Sequence, residues 1–262
     1  MILGTIIASI IGYLLGSILF GKLLVRIIAK QDLSKVGSGN LGATNASRVI
    51  GKAWGFAVFL LDYLKIIVTA FIALALCAIP NDFFRDTFIF IPATFCFIGH
   101  IYPVFNKFKG GKGVSSISAL LFVYNWMFSL LFMAIWWLTL FIVNKISVSG
   151  FVAIIALGIL TWIPALSMLD AQKAYSFNAD ELHQLNNTNV ALFNVFNSLK
   201  VSLGSENFDI FIINNTIFCI TGLIVIIKHK DNIKRLFLGT EPSFLNWRQK
   251  IKEKKDIDPE GK

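Results

Sequence analysis

The chain has 262 residues, of which 56% are hydrophobic and 15% charged, and its formal net charge is +9. A soluble domain usually has about a quarter of its residues charged, so the composition excludes an ordinary soluble protein. The three cysteines stand singly inside apolar runs, without the spacing of a metal or redox site. The cysteines therefore predict no metal site, and no cofactor is expected.

Long apolar runs predict helices that cross a membrane, because about 20 apolar residues span a hydrocarbon core of roughly 30 Å. The first run has no charged residue. It lacks the basic start and the small-residue cleavage site of a signal peptide, so we expect a retained first helix. The runs cover residues 2–21, 53–79, 88–105, 114–143, 146–169 and 210–227.

Lysine and arginine residues are concentrated in three segments, 26–52, 106–112 and 228–262, whereas 80–87 and 170–209 contain few. The positive-inside rule places the three basic segments in the cytoplasm and the other two outside, with the amino terminus outside. A nucleic-acid surface is excluded, because the basic patches lack interleaved aromatic residues and the spans leave no soluble domain.

The run at 114–143 is long for one helix and short for two complete ones. A break near Tyr124 and Asn125 gives about seven transmembrane helices, some of half length, and keeps the carboxyl terminus cytoplasmic. A single tilted span gives six and places the basic tail outside. The fold class expected is therefore an all-α integral membrane protein.

One membrane domain is expected over residues 1–241, with a polar extracytoplasmic insertion at about 170–209 and a basic cytoplasmic tail at 242–262. The insertion has some helical periodicity around 190–203 and no catalytic spacing. Internal repeats, which are typical of many transporters, are absent from the sequence.

The first basic segment contains the run Gly-Ser-Gly-Asn-Leu-Gly-Ala-Thr-Asn-Ala-Ser-Arg at residues 37–48. Closely spaced glycines let backbone N–H groups turn toward one point, and the short polar side chains add donors. Arg48 can bind a phosphate with two parallel hydrogen bonds. The segment predicts an anion site; a flexible turn followed by a helix cap is the alternative.

The second segment, Lys-Phe-Lys-Gly-Gly-Lys-Gly-Val at residues 107–114, leads into an apolar helix. A glycine-rich loop at a helix amino terminus is a typical anion site, and Lys112 adds a positive charge. The spacing is not that of a nucleotide-binding P-loop, so an NTPase is not implied. A basic membrane anchor with a loose loop is the alternative, but it leaves the glycines unexplained.

The third segment follows the last apolar run. His229, Asn232 and Arg235 recur at a spacing of three, which places them on one face of a helix continuing into the cytoplasm. A solvated helix end is the alternative.

Two further features leave their roles open. Asp62 and Lys65 stand within an apolar run, where charges are often functional, and a structural ion pair is the alternative. His100, at the end of the third run, either lines the site or bonds a backbone carbonyl.

Three motifs in order carry a resemblance to a known family. They are Ser-Gly-Asn-x-Gly-Ala-Thr-Asn with a following Arg, Gly-His-x-x-Pro-Val-Phe leading to Phe-Lys-Gly-Gly-Lys-Gly-Val, and His-x-x-Asn-Ile-x-Arg-Leu-x-x-Gly-x-Glu. The chain resembles the bacterial acyl-phosphate:glycerol-3-phosphate acyltransferases over residues 1–169 and 208–241. Members of that family are usually shorter and lack a stretch matching 170–209.

The resemblance implies a multi-pass enzyme of the cell inner membrane with its active site facing the cytoplasm. It implies transfer of an acyl group from acyl phosphate to the sn-1 hydroxyl of glycerol 3-phosphate, giving lysophosphatidic acid, the first step of phospholipid synthesis. The implied partners are these two substrates, membrane lipid and, for handover, the enzyme that forms acyl phosphate. No nucleic acid is expected.

The resemblance also assigns roles to residues. The catalytic set is Ser38, Lys112, His229 and Asn232, and the substrate-binding set is Gly39, Asn40, Gly42, Thr44, Asn45, Arg48, Lys109, Gly110, Gly111, Gly113, Arg235 and Glu241. Two other functions stay open at this point: a transporter of a phosphorylated metabolite, and a scaffold that binds a partner through the basic tail.

Overall fold

The computed structural model describes residues 2–163, 195–203 and 211–244, and the regular secondary structure in these ranges is entirely helical. The predicted all-α class is therefore confirmed for them. The helices are α1 (Ile2–Gly16), α2 (Phe20–Ala29), α3 (Ala43–Ile50), α4 (Lys52–Cys77), α5 (Phe90–Ile101), α6 (Val114–Tyr124), α7 (Trp126–Val143), α8 (Ile146–Leu160), α9 (Val195–Ser202), α10 (Phe211–Lys228) and α11 (Lys230–Phe237).

Within these ranges, three helical stretches are long and apolar enough to cross a membrane: Leu3–Ala29, Lys52–Cys77 and Trp126–Val143. A fourth candidate is the pair formed by α10 and α11, which is bent by 58°. Shorter apolar helices lie at Phe90–Asn106, Val114–Tyr124 and Ile146–Leu160. These short elements agree with the expectation of half-length helices, and the number of complete crossings stays a prediction.

The predicted break in the run at 114–143 is confirmed. Asn125 separates α6 from α7, and its backbone is extended, with φ −160° and ψ 115°. Its side-chain Oδ1 accepts a hydrogen bond from the backbone N–H of Met127 at 3.0 Å. A helix amino terminus leaves N–H groups without partners, so an asparagine cap makes the break tolerable inside an apolar environment.

The first apolar run is not one helix as expected, because α1 ends at Gly16 and α2 begins at Phe20. Lys65 of α4 explains the interruption. Its Nζ donates hydrogen bonds to the carbonyl oxygens of Gly16 at 3.0 Å and Ile18 at 3.1 Å. Carbonyl groups at a helix end have no hydrogen-bond donor within the helix, and here the buried side chain of Lys65 is their donor.

Helices α1 and α5 approach closely along glycines. A Cβ added at Gly16 would lie 2.0 Å from the carbonyl oxygen of Cys96, and one at Gly99 would lie 2.3 Å from that of Tyr13. Small residues of this kind let the backbones of membrane helices come together. The contact fixes the end of α5, which reaches the site described below.

Helix α9 confirms the helical periodicity expected around 190–203 within the part that the structure describes. Phe196 packs against Phe71 of α4, with ring centroids 5.2 Å apart. The Nζ of Lys200 lies 5.3 Å from the ring centroid of Phe88, which precedes α5. Helix α9 therefore sits where α4 ends and α5 begins. The other expectations for 170–209 and for the tail beyond residue 244 lie outside the described residues.

Replacing Gly99 with alanine is expected to destabilise the helix bundle, because the new methyl group meets backbone atoms of α1 that have no room to move. Overpacking of this kind costs about 1–3 kcal/mol. Thermal unfolding in detergent should therefore give a Tm several degrees below that of the unaltered protein. Gly158→Ala is the matched control, because among the described residues no atom outside its own stretch of helix backbone lies within 4 Å of the added Cβ. Equal Tm values for the two variants would contradict the packing argument.

Candidate active site

A cavity of about 670 Å³ lies where α4, α6 and α8 begin and α5 and α10 end. All three motif segments contribute to its wall, although they are far apart in the chain. The predicted site residues that line it are Ser38, Gly39, Asn40, Gly42, Thr44, Arg48, Gly110, Gly111, Lys112, Gly113, His229, Asn232, Arg235 and Glu241. The three segments that charge placed on one side of the membrane thus meet at one site.

Asn45 lies apart from the other predicted residues of the first loop, because it supports the loop from behind and is not among the residues that line the cavity. It is fully buried. Its Oδ1 accepts from the backbone N–H of Ser38 at 2.8 Å, and its Nδ2 donates to the carbonyls of Leu33, Val36 and Asn40 at 2.9–3.2 Å. With its amide fully engaged, Asn45 shapes the loop that carries the other donors.

Two glycines of the first loop have backbone conformations that other residues rarely adopt. Gly37 has φ +62° and Gly39 has φ +70°. A Cβ on Gly37 would also lie 2.1 Å from Oδ1 of Asn45. Gly37 is therefore needed both for its backbone conformation and because a side chain has no space there, and Gly39 is needed for its backbone conformation.

The second loop is fixed against the end of α5. The backbone N–H of Gly111 donates to the carbonyl of His100 at 3.1 Å, and a Cβ on Gly110 would lie 2.1 Å from that same oxygen. Gly113 has φ +85° and immediately precedes α6. The glycine-rich loop therefore leads directly into a helix amino terminus, where backbone N–H groups are available to an anion.

Lys109 also lies apart from the other predicted site residues, because its side chain is exposed and outside the cavity. Its carbonyl accepts a hydrogen bond from Nδ2 of Asn106 at 2.5 Å, which closes the turn before the glycines. Of the two predicted lysines in this loop, only Lys112 lines the cavity.

The third segment is bent at His229, and the continuous helix expected there is wrong. The axis turns by 58° between α10 and α11, which brings His229, Asn232 and Arg235 into the cavity wall. Nδ1 of His229 lies 2.7 Å from the carbonyl oxygen of Val225. A carbonyl only accepts, so Nδ1 carries the proton and Nε2 is left as an acceptor.

Glu241 connects the charged groups of the site. Its Oε1 accepts hydrogen bonds from Oγ of Ser147 at 2.6 Å and Nδ2 of Asn232 at 2.8 Å. Its Oε2 accepts from Nε of Arg235 at 2.7 Å. The Nζ of Lys112 in turn donates to Oδ1 of Asn232. The carboxylate of Glu241 therefore orients the side-chain amide of Asn232, and that amide accepts a hydrogen bond from Lys112.

Burial acts to raise the pKa of Glu241, but its three hydrogen bonds and the charge of Arg235 outweigh it, so the pKa lies below its ordinary value. Burial lowers the pKa of Lys112 to about 8; nearby Arg235 adds to that effect, and Glu241 opposes it. Burial likewise lowers the pKa of Arg48. Crowded, partly buried cations attract an anionic ligand strongly.

Several residues of the wall were missed by sequence reasoning. Ser147, in the first turn of α8, belongs to none of the motifs, and Lys228 was considered only as part of the basic segment. Four apolar side chains of α4 and α7 also line the cavity: Phe59, Phe132, Met133 and Trp136. In the sequence they are indistinguishable from residues that face lipid or a core.

A cavity lined both by cationic glycine-rich loops and by large apolar side chains indicates a class of protein. A molecule with phosphate at one end and a hydrocarbon chain at the other fits such a cavity, and the site is that of a membrane enzyme of phosphorylated lipids.

Comparison with known proteins identifies the family. The model of the family described as glycerol-3-phosphate acyltransferase matches residues 6–239. The chain is 41% identical over 240 residues to the glycerol-3-phosphate acyltransferase of Mycoplasma mycoides subsp. mycoides SC, covering 92% of this chain and 93% of that protein. It is 39% identical over 251 residues to that of Mycoplasma capricolum subsp. capricolum, covering 95% and 96%. The chain belongs to the glycerol-3-phosphate acyltransferase family, and the predicted membership and acyltransferase class are confirmed.

A solved structure agrees with this assignment. The fold is similar to that of PlsY, an integral membrane glycerol 3-phosphate acyltransferase, in its glycerol 3-phosphate form. The TM-score is 0.65 at 28% identity, and the match covers 92% of this chain and 95% of that one. The form with lysophosphatidic acid gives a TM-score of 0.62 at 27% identity, covering 93% and 97%. The chain is therefore an integral membrane protein.

The pKa of Lys112 predicts a pH dependence. Lysine is charged below its pKa, so kcat/KM for a phosphorylated substrate should fall as the pH rises through about 8. Steady-state rates from pH 6.5 to 9.5 measure this profile. Lys112→Arg provides the control, because arginine keeps its charge over the whole range. Whatever its absolute rate, its profile should be flat near pH 8, and a matching decline in both proteins would assign the titration to another group.

Proposed function

We propose that the protein transfers an acyl group from acyl phosphate to the sn-1 hydroxyl of glycerol 3-phosphate, giving lysophosphatidic acid and phosphate. This is the first step of phospholipid synthesis. The observation that supports the proposal is the convergence of two glycine-rich loops and an apolar wall on one cavity. Two phosphates and one acyl chain need that combination of surfaces.

The two loops suggest a place for each phosphate. The loop at Gly110–Gly113, with Lys112 and the amino terminus of α6, suits the phosphate of acyl phosphate. Arg48, on the wall formed by the first loop and α3, suits the phosphate of glycerol 3-phosphate through a bidentate contact. The apolar side chains of α4 and α7 suit the acyl chain.

The reaction needs no covalent enzyme intermediate, because acyl phosphate is a mixed anhydride with a good leaving group. The sn-1 oxygen attacks the carbonyl carbon and forms the new ester C–O bond. The C–O bond to phosphate then breaks, and phosphate leaves with the electron pair. Lys112 and the loop N–H groups stabilise the charge that develops on the leaving phosphate.

The proton of the attacking hydroxyl goes to a substrate phosphate or to His229. The hydrogen bond from Nδ1 to Val225 leaves Nε2 of His229 able to accept it. Asn232 and Arg235 line the cavity beside Lys112, where they hold the phosphates in place. Ser38 also lines the cavity and offers a hydroxyl donor.

For the topology, we propose about seven spans in the cell inner membrane, with the amino terminus outside and the cavity facing the cytoplasm. Residues 1–241 then form one membrane domain, with the insertion at 170–209 outside and the tail at 242–262 inside. Helix α9 and the 80–87 connection, which carry few basic residues, lie at the end of α4 remote from the cavity. That separation agrees with the positive-inside rule.

With the cavity facing the cytoplasm, acyl phosphate arrives from the cytoplasmic side, by handover from the enzyme that forms it.

A transporter of phosphorylated metabolites has less support. Transporter sites lie near the middle of the membrane between repeated halves, whereas the anion loops here gather at helix ends.

Purified protein in detergent should convert acyl phosphate and labelled glycerol 3-phosphate to lysophosphatidic acid and phosphate in equal amounts, without coenzyme A. Lys112→Ala should lower the rate about 100-fold or more, the usual effect of removing a group that stabilises developing charge. Lys109→Ala, an exposed lysine of the same loop, should keep full activity. Product from acyl coenzyme A but not from acyl phosphate would contradict the proposed donor.

A further inference from the structure

Three titratable side chains form a buried cluster below the second loop, and the reaction described above does not use them. Asp62 and Lys65 of α4 and His100 of α5 are 1%, 5% and 2% exposed. The Nζ of Lys65 lies 2.9 Å from Oδ1 of Asp62 and 3.0 Å from Nδ1 of His100. Asp62 and His100 also line the cavity. The ion pair considered for Asp62 and Lys65 is therefore formed, and His100 lines the cavity, with Lys65 rather than a backbone carbonyl as the partner of its Nδ1.

The cluster fixes which nitrogen of His100 carries its proton. The Nζ of Lys65 pairs with the carboxylate of Asp62, and the ammonium group of a lysine donates hydrogen bonds but cannot accept them. Nδ1 of His100 must therefore accept from Lys65, which leaves the proton on Nε2. The contact from Nδ1 to Asp62 is longer, at 3.4 Å. His229 has the opposite tautomer, with Nε2 as the acceptor.

The protonated Nε2 of His100 lies against the glycines of the second loop. A Cβ on Gly111 would be 2.2 Å from Nε2 and 2.8 Å from Cε1. Gly111 does not have a positive φ, so the imidazole ring, rather than backbone strain, excludes a side chain there. Gly111 and the imidazole of His100 are therefore in direct contact, and both residues line the cavity.

We infer that His100 is a further substrate-binding residue, whose Nε2–H donates a hydrogen bond to the phosphate held by the loop at Gly110–Gly113. Asp62 and Lys65 are positioning residues that hold the imidazole in this tautomer. The inference rests on the proposed function for the identity of that phosphate. Lys65 also bonds the carbonyls between α1 and α2, so the same ammonium fixes the helix break and the donor.

Two substitutions separate the two nitrogens. In His100→Asn, the side-chain oxygen replaces Nδ1 as the acceptor for Lys65, but the donor toward the cavity is lost. In His100→Gln, the amide reaches the position of Nε2 and keeps a donor there, but Lys65 loses its acceptor. We expect His100→Asn to have a normal Tm and a KM for acyl phosphate raised about tenfold to hundredfold, the size of a lost hydrogen bond to a charged group. We expect His100→Gln to have a lower Tm and a nearly normal KM.

The KM for glycerol 3-phosphate should change little in both variants. A normal KM for acyl phosphate in His100→Asn would overturn the inference, and so would the reverse pattern of Tm values. An equal loss of kcat and Tm in both variants, with KM unchanged, would show a merely structural role and overturn it as well.

Binding of inorganic phosphate separates this inference from the proposed function. Calorimetric titration should show phosphate binding to the unaltered protein about tenfold or more tighter than to His100→Asn. If the protein makes no lysophosphatidic acid but this difference is present, the proposed function fails and the donor role of His100 stands. If the two proteins bind phosphate equally tightly and the unaltered protein is active with acyl phosphate, the donor role of His100 is wrong and the proposed function stands.

The steric contact gives a test without activity. Gly111→Ala should lower the Tm in the unaltered background, and the loss should be smaller in His100→Asn, where Nε2 and Cε1 are absent. Additive losses would contradict the contact between the ring and the loop.

Discussion

The carboxylate of Glu241 is the interaction on which the site depends. Arg48, Lys112 and Arg235 are partly buried around one cavity, and their mutual repulsion opposes this arrangement. Glu241 offsets part of that repulsion and orients the groups through Arg235 and Asn232. The chain bends by 58° between α10 and α11, and Glu241, which follows α11, contacts the first turn of α8. Ser147 bonds the Glu241 side chain there, and Lys145 bonds its backbone carbonyl.

Elsewhere in the fold, polar side chains inside the bundle form hydrogen bonds to the backbone where helices end. Lys65 bonds the carbonyls at the break between α1 and α2, and Asn125 caps α7. Asn45 bonds one N–H and three carbonyls of the first loop. An apolar environment offers no water to these groups, so each interruption of a helix needs a protein partner. The interruptions in turn create the loops that bind anions.

Much of this architecture was predictable because charge and hydropathy act over whole segments. The break at Asn125 followed from the length of an apolar run. The charge of the three basic segments predicted a common side of the membrane, and their meeting at one cavity is compatible with that prediction. The break after Gly16 was not predictable, since it depends on Lys65, which stands about 50 residues later in the chain.

Individual roles within a loop were harder to predict. Asn45 and Asn40 are close together with the same donors and acceptors, yet one bonds backbone from behind and the other lines the cavity. Sequence spacing does not distinguish a donor that serves a ligand from one that serves the chain. Ser147 had no neighbouring motif, and its importance arises only from Glu241, far away in sequence.

The kcat/KM of Glu241→Gln, measured with acyl phosphate and glycerol 3-phosphate, tests most directly whether the carboxylate organises the site. Glutamine has nearly the same shape, and the loss of a negative charge makes the cavity more positive. If Glu241 were only a counter-charge, phosphorylated substrates would bind more tightly and turnover would persist. Our account predicts instead that Asn232, Arg235 and Lys112 lose their orientation and that kcat/KM falls about 100-fold in a folded protein. An unchanged or increased kcat/KM would contradict it.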